Sequence, residues 1–467
     1  MKKSIIKKSM EEFREERDSL GNIKVPQNAI YGAQTARALQ NFPISGRTAD
    51  SSIIRAYLRL KAAAAVANMK CGVLNKSNTD LILHAIDSLL SMPEAAWHEH
   101  FPVDPYQAGA GTSQNMNINE VIANQANMSL GNQVGSYSPI HPNDHVNRSQ
   151  STNDTFPTVM RLALLERSTR LQEELENLSQ EFSKKSKQWM PILKSARTHL
   201  QDAVPIRLGQ EFGAYSQAIK RCTKWIGQAR ENLCELGIGG SAAGTGLTVP
   251  NGYIPIIIEE LAKRTGEKLH SAADLCEAMQ SQAPVMYYSS MLRLTAIEIT
   301  RICNDIRLLS SGPLTGLAEI TLPAVQPGSS IMPGKVNPSI VEMTNQTWFS
   351  IQGYDQTAAL AAQAGQLELN VMMPVMAYSL IEATKIGAAS IQSLRELCVA
   401  GMKPNEARLK HYFESTPQIA TALSPKLGYE VTASLVGEAL LSGRSILQLV
   451  RERELISEKE IESLLNF

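Results

Sequence analysis

From Gly328 to Pro338 the sequence reads Gly-Ser-Ser-Ile-Met-Pro-Gly-Lys-Val-Asn-Pro. Two hydroxyls (Ser329, Ser330), one ammonium (Lys335) and one carboxamide (Asn337) fall within eleven residues. Pro327, Pro333 and Pro338 cannot continue a helix or strand, and Gly328 and Gly334 accept backbone angles closed to other residues. The stretch reads as a shaped, mobile loop between two helices, where reactive groups are commonly carried. A phosphate loop needs four residues between its glycines and then Lys-Ser/Thr. Here five separate Gly328 from Gly334, and Val336 follows Lys335. A nucleophile elbow needs Gly-x-Ser-x-Gly, which neither serine satisfies. What remains is a serine among backbone N–H groups with a lysine six residues on. That suits a general base whose alkoxide is stabilised by local positive potential. The other reading is an ordinary Pro/Gly-rich surface loop.

Long apolar seams must position such a loop. Leu164, Leu171, Leu175, Leu178, Phe182 and Trp189 lie in a helical region that stops at Pro191. Residues 210–236 predict a second helix. Its Phe212, Tyr215, Ile219, Cys222, Ile226, Ala229, Leu233 and Leu236 alternate spacings of three and four, and Gly237 is placed to end it. A third seam runs through Leu292, Thr295, Ile299, Ile302, Ile306 and Leu309 before Gly312-Pro313. Seams of this length imply a bundle of near-parallel helices, shared between subunits. Helices are expected again over about 339–364 and beyond Asn370, with Pro374 starting or kinking the latter. The predicted class is mainly α, in three domains. Residues 1–140 form a mixed domain with helices at 54–67 and 78–90. Residues 141–399 form the central bundle. Residues 400–467 form a small helical domain whose last helix opens on Ser457-Glu458-Lys459-Glu460, at capping-box spacing.

Other polar segments interrupt this scaffold. Gly109 and Gly111 open a loop that leads into a helix near Asn119. Such a loop can bind a carboxylate through free N–H groups and the helix dipole, with Thr112 and Ser113 adding hydroxyls; the alternative is simple N-capping. Ser151-Thr152-Asn153-Asp154 precedes Pro157, the chemistry of a helix start with proline in the opening turn. Arg197-Thr198-His199 is a polar interruption rich in donors. Its imidazole can carry a proton near neutral pH, although a lone histidine is more often structural. His141-Pro142-Asn143-Asp144-His145 does not make a metal site, because Pro142 keeps the residues off one helical face and no Glu follows the first His. The Gly239–Gly246 stretch lacks Gly-x-Gly-x-x-Gly and follows a helix, which excludes a dinucleotide fold.

Taken in order, these blocks closely resemble the aspartase/fumarase superfamily. The resemblance rests on the 328–338 loop, on Gly109-Ala110-Gly111-Thr112-Ser113 through Asn115-Met116-Asn117 to Asn119-Glu120-Val121, on Ser149-Gln150-Ser151-Thr152-Asn153-Asp154, and on Arg197-Thr198-His199-Leu200-Gln201-Asp202-Ala203. It runs from about Phe13 to the C-terminus. Enzymes of this family remove a proton beside a carboxylate and expel a group from the neighbouring carbon, usually releasing fumarate. Thr152, where the hydratases usually carry a second serine, points to the branch that expels ammonia from aspartate. So does Gln366-Leu367-Glu368-Leu369-Asn370-Val371-Met372, where the hydratases have His/Asn-Phe-Glu-Leu-Asn-Val-Phe. Tyr31-Gly32-Ala33-Gln34-Thr35 and His199 suit either branch. The chain departs from the family pattern at Ala196, Leu314, Tyr354, Met373 and Ser424, which bears on the exact substrate.

The resemblance implies a site built from three subunits of a homotetramer, with no cofactor and no metal. Ser329 would take a proton from C3 of aspartate. Thr112, Ser151, Thr152, Lys335 and Asn337 would stabilise the resulting aci-carboxylate, with Ser113 as a further donor and Ser330 assisting from the loop. Thr198, His199 and Asn153 would hold the end near the departing amine, and Glu342 would pair with His199. Two other readings stay open: hydration of fumarate to malate, and a helical oligomer without turnover.

Composition bounds the partners. Lys+Arg and Asp+Glu are equal at 45 each in 467 residues, so no global field recruits nucleic acid or an anionic membrane. A small dicarboxylate can still be captured by local cations. Six cysteines, at 71, 222, 234, 276, 303 and 398, show no Cys-x-x-Cys pairing and suggest reduced thiols in a cytoplasmic protein. Met1–Lys8 is basic, but the charged run from Glu11 to Asp18 follows in place of an apolar core, so no secretory signal is expected. The apolar run 254–258 is too short to span a bilayer.

Overall fold

The computed structural model describes residues 12–465; the basic run Met1–Lys8 and the start of the charged run at Glu11 lie outside them. In chain order, the hairpin β1 (Phe13–Asp18)–β2 (Gly21–Pro26) leads into α1 (Ala33–Asn41), α2 (Ser51–Lys70), α3 (Lys76–Ser91), α4 (Glu94–His100) and α5 (Thr112–Met128). Then come α6 (Thr152–Trp189), the antiparallel pair β3 (Leu193–Thr198) and β4 (Gln201–Arg207), and α7 (Leu208–Leu233). The two-residue strands β5 (Glu235–Leu236) and β6 (His270–Ser271) pair in parallel around α8 (Tyr253–Thr265). They are followed by α9 (Leu275–Gln280), α10 (Ala283–Leu309), β7 (Ile320–Thr321), α11 (Ser339–Gln363) and α12 (Met373–Leu394). Strand β8 (Lys403–Pro404) pairs antiparallel with β7. The chain closes with α13 (Glu406–Ser415), α14 (Ala420–Leu427), α15 (Tyr429–Ser442), α16 (Ile446–Glu452) and α17 (Glu458–Leu465).

Two compact units share this chain. The first comprises the described residues through Arg170, Trp225–Arg293 and Ser350–Ile386; the second comprises Leu171–Lys224, Leu294–Phe349 and the described residues from Gly387. Each of the five long helices α6, α7, α10, α11 and α12 contributes residues to both. The seams that predict these helices are buried throughout: every residue named above from Leu164 to Trp189, Phe212 to Leu236 and Leu292 to Leu309 is less than a tenth exposed.

Polar links tie neighbouring helices within each unit. In the second, α6 and α7 share the aromatic cluster Phe182, Trp189, Phe212 and Tyr215, with ring centroids 4.6–6.0 Å apart. Ser216 Oγ donates back to Ser179 O on α6 at 2.8 Å. The Tyr215 hydroxyl reaches Asp305 on α10, and Asn345 on α11 donates to Asn304 on α10. In the first unit, Asp355 on α11 accepts from Ser289 and Arg293 of α10, and Tyr288 on α10 shares a hydroxyl hydrogen bond with Thr384 on α12.

The structure corrects several boundaries. The second long helix begins at Leu208 and stops at Leu233, not at Leu236, because Glu235 and Leu236 are drawn into pairing with His270 and Ser271. The helix expected near Asn119 begins seven residues earlier, at Thr112. Pro157 lies beyond the opening turn of α6, where Asn153 O has no N–H to receive. The polar interruption Arg197-Thr198-His199 comprises the end of β3 and the first residue of the hairpin tip. The capping box on Ser457 forms: its N–H donates to Glu460 Oε2 at 2.9 Å, and Glu460 N–H donates back to Ser457 Oγ at 3.4 Å. Pro374 is the second residue of α12, a position that needs no intrahelical donor. Among the described residues no helix is long and apolar enough to cross a membrane.

Phe212 is fully buried and touches three other rings. Phe212→Ala is expected to cost about 3–5 kcal/mol, read as a lower denaturation midpoint in guanidinium.

Candidate active site

The 328–338 loop closes on itself. Gly328 N–H donates to Lys335 O at 2.8 Å, and Asn337 Nδ2 donates to Gly328 O at 2.7 Å, which fastens both ends of the loop together. A Cβ on Gly328 would lie 2.3 Å from Lys335 O, so only glycine allows this closure. Gly334 takes φ +81° and turns the chain back. Within the loop, Ser329 Oγ accepts the backbone N–H groups of Ile331 (3.2 Å) and Met332 (3.0 Å). Ser329 is half-buried, whereas Ser330 and Lys335 are exposed. One face of the loop borders a cleft of about 1040 Å³, lined also by Asn304, Arg307, Gly312, Thr321 and Asn405.

The hairpin β3–β4 lies in the same unit. Its two-residue tip, His199 and Leu200, takes φ +56° and +58°. A turn that needs left-handed angles at both positions usually holds Asn or Gly. Two bulky residues there are strained, and such strain clusters at functional sites. Thr198, His199 and Leu200 are exposed. The hairpin is anchored from behind by fully buried Glu319, whose Oε2 meets Lys194 Nζ and whose Oε1 meets Arg197 Nη1, both at 2.5 Å. Lys194 also pairs with Glu211 on α7 at 2.9 Å. Half-buried Glu342 lies in the first turn of α11. Within one chain, no hydrogen bond or ion pair among the described residues joins it to His199, or joins either to Ser329.

The remaining predicted residues belong to the first unit. Gly111 caps α5 in a left-handed conformation (φ +76°), and a Cβ there would overlap the Phe156 ring at 1.9 Å. The N-cap Gly111 offers no side chain, and Gln107 Oε1 caps the first turn by accepting the Gln114 N–H at 2.8 Å; Thr112 and Ser113 are the first two helical residues. At the start of α6, Ser151 Oγ accepts Asn153 N–H at 3.2 Å, and Asn153 Nδ2 donates to Ala242 O at 2.8 Å. Thr152 is the first helical residue. The fully buried Asp154 accepts the N–H groups of Ser151, Gly239 and Ser241, each at 3.0 Å, clasping the 239–242 segment onto this helix start. Burial pushes the Asp154 carboxyl up to about 7, against the pull of those three donors and of Lys61.

Lys61 is the largest omission from the sequence reading. Fully buried on α2, its ammonium donates to Asn115 Oδ1 (2.8 Å), Asn147 Oδ1 (3.0 Å) and Gln150 Oε1 (3.0 Å). Burial lowers its pKa to about 7, and the Asp154 charge opposes that fall. The available signal was a single lysine amid Leu58, Leu60 and the alanine run Ala62–Ala65, a charge on an apolar helix face. Glu120 was also missed, although its motif was noticed. Buried, it accepts the N–H groups of Gly32 (2.9 Å), Gln34 (2.8 Å) and Thr35 (3.2 Å) and the Thr35 hydroxyl (2.6 Å). The Tyr31–Thr35 block is thereby a docking joint between α1 and α5, with a carboxylate at a helix N-terminus.

The departures from the family pattern have physical settings. Leu314 is 86% exposed. The guanidinium of Arg408 donates to its carbonyl and to those of Gly316 and Leu317. Tyr354 meets the Tyr378 ring edge-on at 6.2 Å, and Met373 is fully buried at the head of α12. His141 and His145 use their ring nitrogens to accept N–H groups within their own turn.

Residues 21–353 match a family model described as Lyase, and residues 419–467 match one described as Fumarase C C-terminus. The chain is 46% identical to an aspartate ammonia-lyase of a Bacillus species, with 97% of each chain covered. It is 43% identical to the aspartate ammonia-lyase of Bacillus subtilis, with 97% of this chain and 95% of the relative covered. Among solved structures it is similar to a fumarate lyase:delta crystallin of Brucella melitensis, with a TM-score of 0.93, 40% identity and coverage of 97% and 98%. It is similar also to the class II fumarase of Schistosoma mansoni, with a TM-score of 0.90, 33% identity and the same coverage. The chain belongs to the aspartase/fumarase superfamily of lyases.

Because Asn337 fastens the loop, Asn337→Ala is expected to speed amide hydrogen exchange over residues 328–336 while the five long helices exchange as before. Unchanged exchange in that stretch would show that the side chain does not hold the loop closed.

Proposed function

We propose that this protein is an aspartate ammonia-lyase that interconverts L-aspartate with fumarate and ammonia. Ser329 is the base. The observation that carries this assignment is the pair of backbone N–H groups already aimed at its Oγ. An ordinary serine hydroxyl has far too high a pKa to remove a proton from carbon. Donors that strengthen as the oxygen becomes anionic lower that barrier. Lys335, exposed on the same loop, adds positive charge when the loop meets substrate.

The proton leaves C3 of aspartate, and the electron pair moves into the adjacent carboxylate as an aci-carboxylate. Thr112, Ser113, Ser151 and Thr152 sit at the starts of α5 and α6, where backbone N–H groups and the dipole favour that growing charge. Asn337 and Ser330 complete the loop side of the site. Expulsion of ammonia from C2 then yields fumarate. Asn153, Thr198 and His199 hold the amine end, and Glu342 orients His199. Loop closure excludes water and completes the set. The reaction requires no cofactor and no metal.

The site is assembled from three subunits of a homotetramer, on a chain whose sequence domains are 1–140, 141–399 and 400–467. This reading is supported by Leu294 and Ile297 on α10 and Phe349 on α11, which are 36%, 50% and 55% exposed in a single chain. Large apolar side chains on central helices are covered when bundles associate. The six cysteines are free, as a reducing cytoplasm would leave them.

Ser329→Ala is expected to lose roughly 3–5 kcal/mol of transition-state stabilisation, a fall in kcat/KM of about 10²–10⁴, with an unchanged circular dichroism spectrum. A near-wild-type rate would remove Ser329 from the mechanism. Incubation with fumarate alone, then with fumarate plus ammonia, separates the two family chemistries. Aspartate formed only with ammonia is the expected result. Malate in the first tube would identify a hydratase, and neither product at high protein concentration would point to an oligomer without turnover.

A further inference from the structure

We propose that Lys61 is a positioning residue that sets the spacing of the two substrate-gripping helix starts, at Thr112–Ser113 and Ser151–Asn153. The inference rests on the assignment of those residues to substrate binding.

Three segments meet at one ammonium. Asn115 lies three residues after Thr112 on α5, Gln150 directly precedes Ser151, and Asn147 lies in the turn between them. The amides are themselves cross-linked: Asn147 Oδ1 also accepts from Asn115 Nδ2 and Asn119 Nδ2, each at 3.2 Å, and Asn147 Nδ2 donates to Gln150 O at 3.3 Å. A lysine ammonium has three protons and no acceptor, and all three are used here. None is left for substrate, so Lys61 acts through its neighbours and not as a catalytic group. A methionine would fill the same apolar stretch of α2 equally well, but only the ammonium can gather three amide oxygens.

Each partner of Lys61 is a neutral amide, and no carboxylate forms an ion pair with it among the described residues. The Asp154 carboxyl, itself held by three backbone N–H groups at the start of α6, is the acidic group that acts on Lys61. The two helix N-termini above also carry partial positive charge. By holding both helix starts at one spacing, Lys61 contributes to affinity for the dianion in ground and transition states alike, which appears in KM and not in kcat.

The test is steady-state kinetics and fumarate calorimetry on the purified full-length protein and its Lys61→Met variant. KM for aspartate should rise at least ~10-fold, with kcat within about threefold of wild type. Fumarate affinity should weaken in parallel. A KM unchanged within about twofold, with kcat falling in step with the folded fraction, would make Lys61 a purely structural residue and end the proposal. If Lys61→Met does not fold, Asn147→Ser removes one acceptor and leaves the charge in place. It should raise KM about threefold with kcat intact, and an unchanged KM there would be equally decisive. Wild-type behaviour separates the two levels of argument. A wild type that turns over aspartate beside a variant of unchanged KM defeats only the role of Lys61. A wild type inactive on aspartate defeats the functional reading, and fumarate Kd then carries the Lys61 comparison. A wild type that also fails to bind fumarate defeats both.

Discussion

A charge can be buried in a helical scaffold only where hydrogen bonds or an opposite charge answer it, and this constraint organises the polar segments of the chain. Glu120 collects three N–H groups and a hydroxyl from residues 32–35. Asp154 collects three N–H groups and draws the 239–241 turn onto α6. Glu319 faces Lys194 and Arg197 behind the hairpin that carries His199. Lys61 draws together the chain around Asn115, Asn147 and Gln150. In each case a segment that leaves the apolar scaffold is tied back to it by a buried ion, at the point where a slip of position would cost most.

The serine loop is the exception. Its closure depends on one backbone hydrogen bond and one neutral carboxamide, and Ile331, Met332 and Val336 are exposed at 84%, 48% and 50%. Few buried contacts hold it, which is the physical condition for a segment that moves at low cost. In the proposed reading the contrast suits a division of labour: segments that grip a carboxylate are fixed before substrate arrives, whereas a base that needs a dry setting opens and closes.

The long helices connect these demands. Their seams supply apolar burial over 22–38 residues each. Outside the seams they leave apolar residues such as Ile297 and Phe349 half exposed in a single chain. In the proposed reading, stability of the chain and completion of the site draw on the same association, which makes the oligomer part of the chemistry.

The sequence alone determined the helical class, the three buried seams and the identity of the serine loop, because each is written in local spacing. A 3–4 apolar repeat needs no distant partner to be recognised, and a Pro- and Gly-punctuated run of hydroxyls and an ammonium announces its own irregular backbone. Tertiary structure alone decided where α7 ends, since Leu236 fits the helical repeat but pairs with Ser271. It alone decided that the Tyr31–Thr35 block serves Glu120, and that His199 rides a strained hairpin tip. It also revealed Lys61, whose helix reads as apolar packing until the amides of Asn147 and Gln150, 86 and 89 residues away, are brought against it. Local pattern specifies what a segment can form; a buried charge acquires its meaning only from the distant groups that satisfy it.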